Sequence, residues 1–531
     1  MKGVVVAPQP IAVEEAVKVL RKGGNAVDAA VTCAFVEMIV DPQMCGIGGF
    51  GTMNVYWRDS DEKRIIDFYE QTPSAATDTM FEPMQDTRGG LFWVRNFENQ
   101  LGYKASGVPG TLLGLYEAMK RYGSISWKEA IMPAAKLARH GIPIHEDLYH
   151  YWTKESREGD VDCKTKLTAT PESARIFLKN GEFYKPGDTL VLADYANTLE
   201  TIANEGPEAF YKGKIADRIA QDFQKKGGVL SRNDLEEYRT VITEPVTGTY
   251  RGYTVLSSTP PGGGTFVILM LNILESFELE RLECNSPEYI HLVAKAQDIA
   301  FAERAKIWGD PAFLDLPIKR LTSKPYAEQC RKTIEKGASS PAIGGSHGEE
   351  TTHLSVIDKH GNAVALTHTL GTSSGVVVPG LGFLFNNSMH RFNPRPGTPN
   401  SIAPKKRRAS ALSPTIVFKD RNPVLVLGGA GGFGIITGVL QTILNVIDHK
   451  MTLSEAVSSP RFHSENNLIY TEARIPEETC QQLRSMGHKV NRRSYSYEGL
   501  FGNVSAIKLD WKNNTSVGAA DPRRGGMALY A

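Results

Sequence analysis

The spacing of apolar and polar positions predicts several helices in the first three hundred residues. From Ile11 to Leu20 apolar residues recur three and four positions apart, and Gly23-Gly24-Asn25 ends that helix. A second helix is predicted from Asn25 or Asp28, with small alanines on one face that favour close packing. The same spacing predicts further helices over Val108 to Arg121, Trp127 to His140, Tyr195 to Glu205 and Tyr289 to Ala305.

The pattern changes near residue 335. Lys336 to Glu350 combines glycine, serine, proline and acids without apolar periodicity, which predicts an exposed, flexible segment. Alternation directly after it predicts a strand over Thr352 to Ile357, a short turn and a second strand over Ala363 to Leu370. Later segments predict strands and then an apolar helix: Thr415 to Phe418, Val424 to Leu427 and Ile435 to Ile447. The one predicted break therefore falls immediately before Thr351.

Composition and charge are those of a globular protein without a strong electrostatic preference. Sixty basic residues stand against fifty-nine acidic ones, and the formal net charge of +1 gives no drive toward nucleic acid or an anionic membrane. The dense basic run Lys405 to Arg408 is predicted to be a solvated loop. Six scattered cysteines without CxxC spacing argue against a disulfide framework, and most are predicted to be buried.

The N-terminus and the most apolar run bear on location. MKGVVVAPQP has too short an apolar stretch for a signal peptide, and Phe266 to Leu274 is far below the roughly 20 residues that span a bilayer. A cytoplasmic protein is expected. A secreted or periplasmic one stays open, because a chain whose leader has been removed would look the same.

Two short motifs suggest chemistry that their context does not support. His145, Glu146 and His150 resemble a zinc motif, but five helical steps place the two histidines on nearly opposite sides. Gly371 to Gly375 fits GxSxG with Ser373 as nucleophile, yet Val-Val-Val-Pro follows where that motif needs a helix. We predict neither a metal site nor a serine nucleophile from them.

Two glycine clusters fit GxGxxG, within Cys45 to Gly51 and at Gly429 to Gly434. The first precedes a predicted strand, Thr52 to Trp57. The second follows a strand and opens a helix, as a dinucleotide-binding turn does, but no second parallel strand with an acidic residue follows at the required distance. NAD binding remains an alternative. The backbone N–H groups of such a turn can also converge on an anion, either a phosphate or a developing oxyanion.

Thr351-Thr352-His353 is the third candidate. A threonine pair at the start of a strand is usually structural, since β-branched residues suit strands. Here a flexible segment ends just before it, and an oxyanion-capable turn lies downstream. A threonine freed at an N-terminus carries both a nucleophilic hydroxyl and an amine that takes its proton. We therefore predict that the chain cuts itself before Thr351 and that Thr351 then attacks amide bonds.

Stretches along the whole chain carry a family resemblance. They are GGNAVDAAVT (23 to 32), CGIGGFG (45 to 51), GVPGT (107 to 111), TTHLSVIDKHGNAVALTHTL (351 to 370), ALSPTIV (411 to 417), GGAGGFGIITGVLQ (428 to 441) and AADPRRGG (519 to 526). In this order they resemble the γ-glutamyltranspeptidase family. The resemblance implies an α+β fold, the four-layer αββα sandwich of N-terminal nucleophile hydrolases. It also implies a proenzyme cut between Glu350 and Thr351 into a large subunit, 1–350, and a small subunit, 351–531, intertwined in one globular unit.

The resemblance assigns the chemistry to four residues and requires no cofactor and no metal. Thr351 matches the nucleophile, and Thr369 matches the threonine that orients it. Gly431 and Gly432 match the backbone donors of the oxyanion hole. The acyl-enzyme that forms would be resolved by water or by an acceptor amine.

The substrate-binding positions depart from the family. Tyr69 replaces an arginine that holds the glutamyl α-carboxylate, and Gly371 replaces an asparagine that grips the substrate. Ser388 and Arg391 replace a glutamine and an aspartate, of which the aspartate pairs with the substrate α-ammonium. Of a serine pair, Ser410 remains. The chemistry is thus retained, whereas the residues that recognise an amino acid are largely changed.

Three functions follow as expectations. The first is an autoprocessing threonine amidohydrolase or acyltransferase, glutathione hydrolase-like, acting on a γ-glutamyl or similar small-molecule amide. The second is a cephalosporin acylase-like amidase, because Arg391 favours an acyl group that has a carboxylate and lacks an α-amine, such as a glutaryl chain. The third, from another class, is a degenerate member that acts as a binding protein. None of them involves nucleic acid or a membrane.

Overall fold

Two antiparallel sheets form the centre of the protein. The computed structural model describes residues 1–84, 92–156, 160–336 and 351–531. The first sheet has seven strands, in the order Met527–Tyr530, Val4–Ala7, Thr352–Ile357, Ala363–Thr369, Phe50–Trp57, Glu62–Phe68 and Val241–Thr243. The second has six, in the order Thr515–Ala520, Asn503–Asp510, Asn422–Ala430, Thr415–Lys419, Tyr253–Ser257 and Val246–Tyr250.

Both sheets contain strands from before and from after residue 350. Val4–Ala7 lies between Thr352–Ile357 and Met527–Tyr530, and Ala363–Thr369 pairs with Phe50–Trp57. In the second sheet, Tyr253–Ser257 pairs with Thr415–Lys419. Every one of these pairings is antiparallel. The two parts of the chain therefore share a single pair of sheets instead of forming separate units.

Apolar side chains pack between the two sheets and on the outer face of each sheet. Between the sheets lie β-branched and aromatic residues of both, among them Val4, Ile357, Phe418 and Val426. Alternation along each strand sends the other set of side chains outward. Those outward sets pack against helices, one core on each outer face. The result is a four-layer αββα sandwich, as expected from the resemblance.

The helices divide between the two outer layers. Those whose buried residues pack on the first sheet's side include Pro10–Arg21, Ala26–Val40, Thr111–Tyr122, Trp127–His140, Glu146–Thr153, Cys163–Leu167, Pro171–Phe177, Ala193–Glu205, Glu208–Tyr211, Lys214–Lys225 and Arg232–Glu237. Those on the second sheet's side include Gly264–Leu274, Pro287–Ile307, Ile318–Leu321, Lys324–Glu335, Gly434–Ile447, Leu453–Ser458 and Glu477–Ser485. A small sheet joins Phe462–Glu465, Leu468–Thr471 and Lys489–Arg492.

Most of the predicted elements are present, with small differences at their ends. Trp127–His140 and Thr352–Ile357 begin and end at the predicted residues. The helix predicted from Val108 begins at Thr111, because the chain is still extended through Val108 and Pro109. The predicted segment from Lys336 to Glu350 lies, after Lys336, outside the described residues. In the described part of the chain, no helix is long and apolar enough to cross a bilayer.

The prediction for the basic run was wrong. Lys405 is exposed, but Lys406, Arg407 and Arg408 are at most 7% exposed. Arg407 pairs with the buried carboxylates of Asp67 at 2.8 Å and Asp310 at 2.7 Å. Charge density alone predicts a solvated loop, whereas acidic residues far away in sequence provide buried partners that a local pattern does not contain.

Candidate active site

Thr351 lies at the start of a central strand of the first sheet, with its side chain toward the second sheet. Strand alternation puts Thr351 and His353 on one face and Thr352 on the other. His353 packs against Gly428, where an added Cβ would lie 2.3 Å from the imidazole ring. Thr352 faces the helical layer, and its hydroxyl donates to the Glu37 carboxylate at 3.1 Å. Thr351 therefore faces the end of the strand Asn422–Ala430, where the second glycine cluster begins.

Thr369 is hydrogen-bonded to Thr351. The Thr351 hydroxyl donates to the Thr369 hydroxyl oxygen at 3.3 Å, and that oxygen also accepts the Gly371 N–H at 2.8 Å. Both threonines are almost fully buried. At Gly49, in the first glycine cluster, an added Cβ would lie 2.3 Å from the Thr369 carbonyl oxygen. That cluster thus lets two backbones approach closely beside the nucleophile.

Gly431 and Gly432 form the turn between a strand of the second sheet and the helix Gly434–Ile447. Both have positive φ, 115° and 60°, which glycine adopts without strain. Neither N–H group donates a hydrogen bond among the described residues. Gly432 lines the same pocket as Thr351 and Thr369. The turn can therefore stabilise negative charge that develops on an oxygen bound beside Thr351.

The histidine of the Thr-Thr-His motif is buried between the two sheets. Its ring lies within hydrogen-bonding distance of the Thr367 and Ser355 hydroxyls, at 2.7 and 3.1 Å. Burial lowers the pKa of His353 to about 3, so the ring is neutral at physiological pH. His353 therefore fixes the spacing between the two sheets.

Three arginines line the pocket beside Thr351. Arg304 comes from the helix Pro287–Ile307, Arg391 from a short helix after Asn387, and Arg408 from the basic run. Among the described residues that line this pocket there is no aspartate or glutamate. Sequence reasoning singled out only Arg391. The signal for Arg408 was its place in a run with three other cations next to an apolar segment, and that run was interpreted as a solvated loop.

Only some of the remaining predicted substrate-binding residues line the pocket. Gly371 and Ser410 line the pocket, whereas the Tyr69 ring is fully buried behind it against Phe50. The Ser388 hydroxyl is directed at Gly107, where an added Cβ would lie 2.4 Å away. Glu350 lies outside the described residues. The binding roles of these positions stay predictions.

The structure does not support the alternative roles of the serine and dinucleotide motifs. Ser373 is buried, and its hydroxyl donates to the Phe385 carbonyl at 3.3 Å. The strand that precedes Gly429 to Gly434 pairs antiparallel with both of its neighbours. A dinucleotide-binding unit needs parallel strands at that point. The glycine turn is therefore not part of such a unit.

The four layers are those of the N-terminal nucleophile hydrolase fold. Residues 12–531 match the Gamma-glutamyltranspeptidase family, and the chain belongs to that family. It is accordingly an enzyme of the γ-glutamyltransferase type, a hydrolase or acyltransferase.

Relatives within the family carry two kinds of name. The chain is 37% identical over 552 aligned positions to the glutathione hydrolase proenzyme of Bacillus subtilis (strain 168), covering 99% of this chain and 91% of that one. It is 38% identical to the acylase ACY 1 proenzyme of Pseudomonas sp. (strain SE83), covering 99% and 93%.

Among solved structures, the cephalosporin acylase from Bacillus halodurans superposes with a TM-score of 0.88 at 27% identity, covering 99% of this chain and 95% of that one. The γ-glutamyltranspeptidase of Helicobacter pylori gives 0.57 at 33% identity, covering 63% and 91%.

Proposed function

We propose that this enzyme cuts its own chain before Thr351 and then hydrolyses amides whose acyl group ends in a carboxylate and lacks an α-amine. In the first step the Thr351 hydroxyl attacks the Glu350 carbonyl carbon, and the C–N bond breaks as the amine leaves. Water then hydrolyses the resulting ester, which frees the Glu350 carboxylate and the Thr351 amine and hydroxyl. The large subunit is 1–350 and the small subunit is 351–531.

The arrangement around Thr351 supports the same chemistry on a substrate. The freed amine would take the hydroxyl proton as the oxygen attacks the substrate carbonyl. The Gly431 and Gly432 N–H groups would stabilise the oxyanion, a contribution of roughly 3 kcal/mol for one donor. The acyl-enzyme is then resolved by water, and an acceptor amine in place of water would give transfer instead.

The observation that carries the choice of acyl group is the charge of the pocket. Arg304, Arg391 and Arg408 line it, and the described lining contains no acidic side chain. An α-ammonium group would meet cations and no counter-charge, whereas a carboxylate would be attracted. Relatives named as acylases and the similarity to a cephalosporin acylase structure agree with this choice. The relatives named glutathione hydrolase favour γ-glutamyl amides as the competing substrates.

A denaturing gel and three substrates test the proposal. Wild type should run as two bands and Thr351→Ala as one, and mass spectrometry should find the small subunit beginning at Thr351. Glutaryl p-nitroanilide should be hydrolysed faster than γ-glutamyl p-nitroanilide, and 4-aminobutyryl p-nitroanilide should react most slowly. Preference for the γ-glutamyl compound would refute the choice of acyl group. A wild-type chain that stays uncut and inactive would favour the binding-protein alternative.

A further inference from the structure

We propose that Arg408 is the residue that binds the distal carboxylate of the acyl group and so determines which acyl groups are accepted. This inference rests on the proposed function, because it assumes an acyl chain with a free carboxylate in the pocket of Thr351. Of the three arginines that line that pocket, Arg408 is the one to which we assign the specificity role.

Arg408 is a preformed binding group rather than a mobile surface cation. Its side chain is only 9% exposed, and its guanidinium stacks over the Phe50 ring with 4.7 Å between the charge centre and the ring centroid. Nε lies 3.1 Å from a carboxylate oxygen of Glu70, and Nη1 donates to the Ala409 carbonyl at 3.2 Å. Held on three sides, the planar group loses little freedom when it binds a ligand.

The hydrogen bonding of Arg408 is incomplete in a way that suits an anion. Its buried Nε has no hydrogen bond of good geometry, and both carboxylate oxygens of Glu70 also lack a hydrogen-bond partner. Burial raises the pKa of Glu70 to about 7 despite the neighbouring Arg408. Burial thus disfavours the charged form of Glu70, which makes it a weaker counter-ion for Arg408 than an exposed carboxylate would be.

Arg408 and Tyr69, which replaces an arginine of the family pattern, contact the same aromatic residue. The Tyr69 ring stacks on one side of Phe50, with centroids 6.1 Å apart, and Arg408 stacks on the same aromatic residue. A guanidinium from another segment thus contacts the same ring as Tyr69, the residue at the position where the family pattern has an arginine.

Arg304 occupies a different part of the pocket. Its guanidinium stacks over Phe433 at 4.4 Å, directly after the oxyanion turn, and its Nη2 donates to the Ser410 carbonyl at 3.4 Å. Arg304 therefore borders the oxyanion turn. Arg408 instead stacks on Phe50, which pairs with Thr369 in the first sheet, so the two guanidinium groups lie over different aromatic rings.

The test compares a charged substrate with its neutral isostere. For each enzyme we would measure kcat and KM for glutaryl p-nitroanilide and for glutaramoyl p-nitroanilide, in which an amide replaces the distal carboxylate. In Arg408→Gln the kcat/KM for the glutaryl substrate divided by that for the glutaramoyl substrate should fall about 10- to 100-fold, because a charged hydrogen bond to the carboxylate is lost. The fall should come from a higher KM for the glutaryl substrate. In Arg408→Lys this ratio should fall less, because the charge is kept and only the planar, two-point pairing with the carboxylate is lost.

Arg391→Gln is the matched comparison, since it removes a second cation of the same pocket. Correct cleavage before Thr351 on a gel and a cooperative thermal unfolding transition above the assay temperature show that a variant is folded. A ratio that is unchanged in Arg408→Gln, or one that falls in Arg391→Gln instead, would overturn the assignment.

Calorimetry with glutarate and glutaramate separates this inference from the proposed function. Wild type should bind glutarate more tightly than glutaramate, and Arg408→Gln should lose that difference. If wild type shows this binding but does not hydrolyse either substrate, the proposed chemistry fails and the role of Arg408 stands. Equal binding of the two ligands by wild type would overturn the role of Arg408, whatever the activity.

Discussion

The guanidinium of Arg524 donates a hydrogen bond to the carbonyl oxygen of Thr351 at 2.7 Å. Arg524 lies near the end of the chain, 173 positions after Thr351, and also pairs with the buried carboxylate of Asp41. Gln9 donates to the same carboxylate. Segments from both ends of the chain thus fix the backbone of the proposed nucleophile. This contact is not predictable from the AADPRRGG stretch alone, although that stretch marks the family.

Removing Arg524 should misplace the nucleophile without removing it. In Arg524→Met the Thr351 carbonyl loses a charged donor, a loss of about 1.5–3 kcal/mol for a buried group. We expect cleavage before Thr351 to slow by 10-fold or more and kcat to fall similarly, with KM changing less. The measurements are a time course on a denaturing gel and steady-state kinetics. Arg524→Lys retains the charge and should recover part of both rates; equal rates in wild type and Arg524→Met would contradict the positioning role.

Loss of the Thr369 hydroxyl should reduce the rate of attack. In Thr369→Val the Thr351 hydroxyl loses its acceptor and the Gly371 N–H loses its buried partner. We expect kcat to fall roughly 10- to 100-fold, as for loss of one or two buried hydrogen bonds. Steady-state kinetics on the processed enzyme measure this. Thr369→Ser keeps the hydroxyl and is the control; a Ser variant as slow as the Val variant would show that the methyl group, not the hydrogen bond, matters.

The oxyanion turn should not tolerate a side chain at Gly431. An added Cβ would lie 2.6 Å from the Gly499 carbonyl oxygen, so the turn must shift. We expect Gly431→Ala to lose self-cleavage and activity. Gly23→Ala is a matched control, because Gly23 also has a positive φ, 95°, but nothing lies within 4 Å of its Cβ position. Both variants carry backbone strain of order 1–2 kcal/mol. Comparable activity loss in both would mean that the strain, and not the oxyanion turn, is responsible.

Local patterns predicted the elements that carry the chemistry, because each is specified by neighbouring residues. The strand Thr352–Ile357 alternates over its whole length, and the glycine cluster at Gly429 follows a strand and opens a helix. The family resemblance then supplied the four-layer fold. The N-terminal strand Val4–Ala7 was missed, since four apolar residues before a proline do not specify a strand. Its pairing partners lie more than 300 positions away.

The pocket was less predictable than the nucleophile for the same physical reason. Arg391 was singled out by comparison with a motif, but Arg304 and Arg408 reach the pocket only through tertiary packing. Glu70 and Phe50, which hold Arg408, belong to segments more than 330 positions earlier in the chain. From sequence alone, a run of four cations predicts an exposed loop. Its burial can be predicted only when the acidic residues that contact it in the folded protein are known.

The pair of carboxylates around Arg407 should make that arginine a large contributor to stability. Arg407→Met would leave Asp67 and Asp310 buried without their counter-ion, and breaking such a buried pair costs about 3–5 kcal/mol. Urea unfolding should show this loss. Arg175→Met is the control, because Arg175 pairs with Glu172 and Asp194 while more than half of its side chain is exposed, which limits the cost to about 1 kcal/mol. Similar losses in the two variants would contradict the role of burial.

Glu70 should make recognition of the carboxylate depend on pH. Its pKa is raised to about 7 by burial, with Arg408, Arg407 and Asp67 as its charged neighbours. A raised carboxyl pKa means that the folded state holds the proton more tightly. Folding stability from Glu70 is thus complete below its ordinary pKa of 4.5 and is lost as pH rises toward 7.

Above pH 7 the ionised Glu70 pairs with Arg408 and competes with the substrate carboxylate. We expect KM for glutaryl p-nitroanilide to rise between pH 6 and 8, while KM for the neutral glutaramoyl compound stays level. The ratio of the two KM values does not depend on the titration of the Thr351 amine, because that titration affects both substrates alike. Glu70→Gln has no carboxyl to ionise, so its ratio should be flat across this range. A slope that persists in Glu70→Gln would assign the pH dependence to another group, with Asp67, whose pKa is raised to about 6 by burial, as the next to replace.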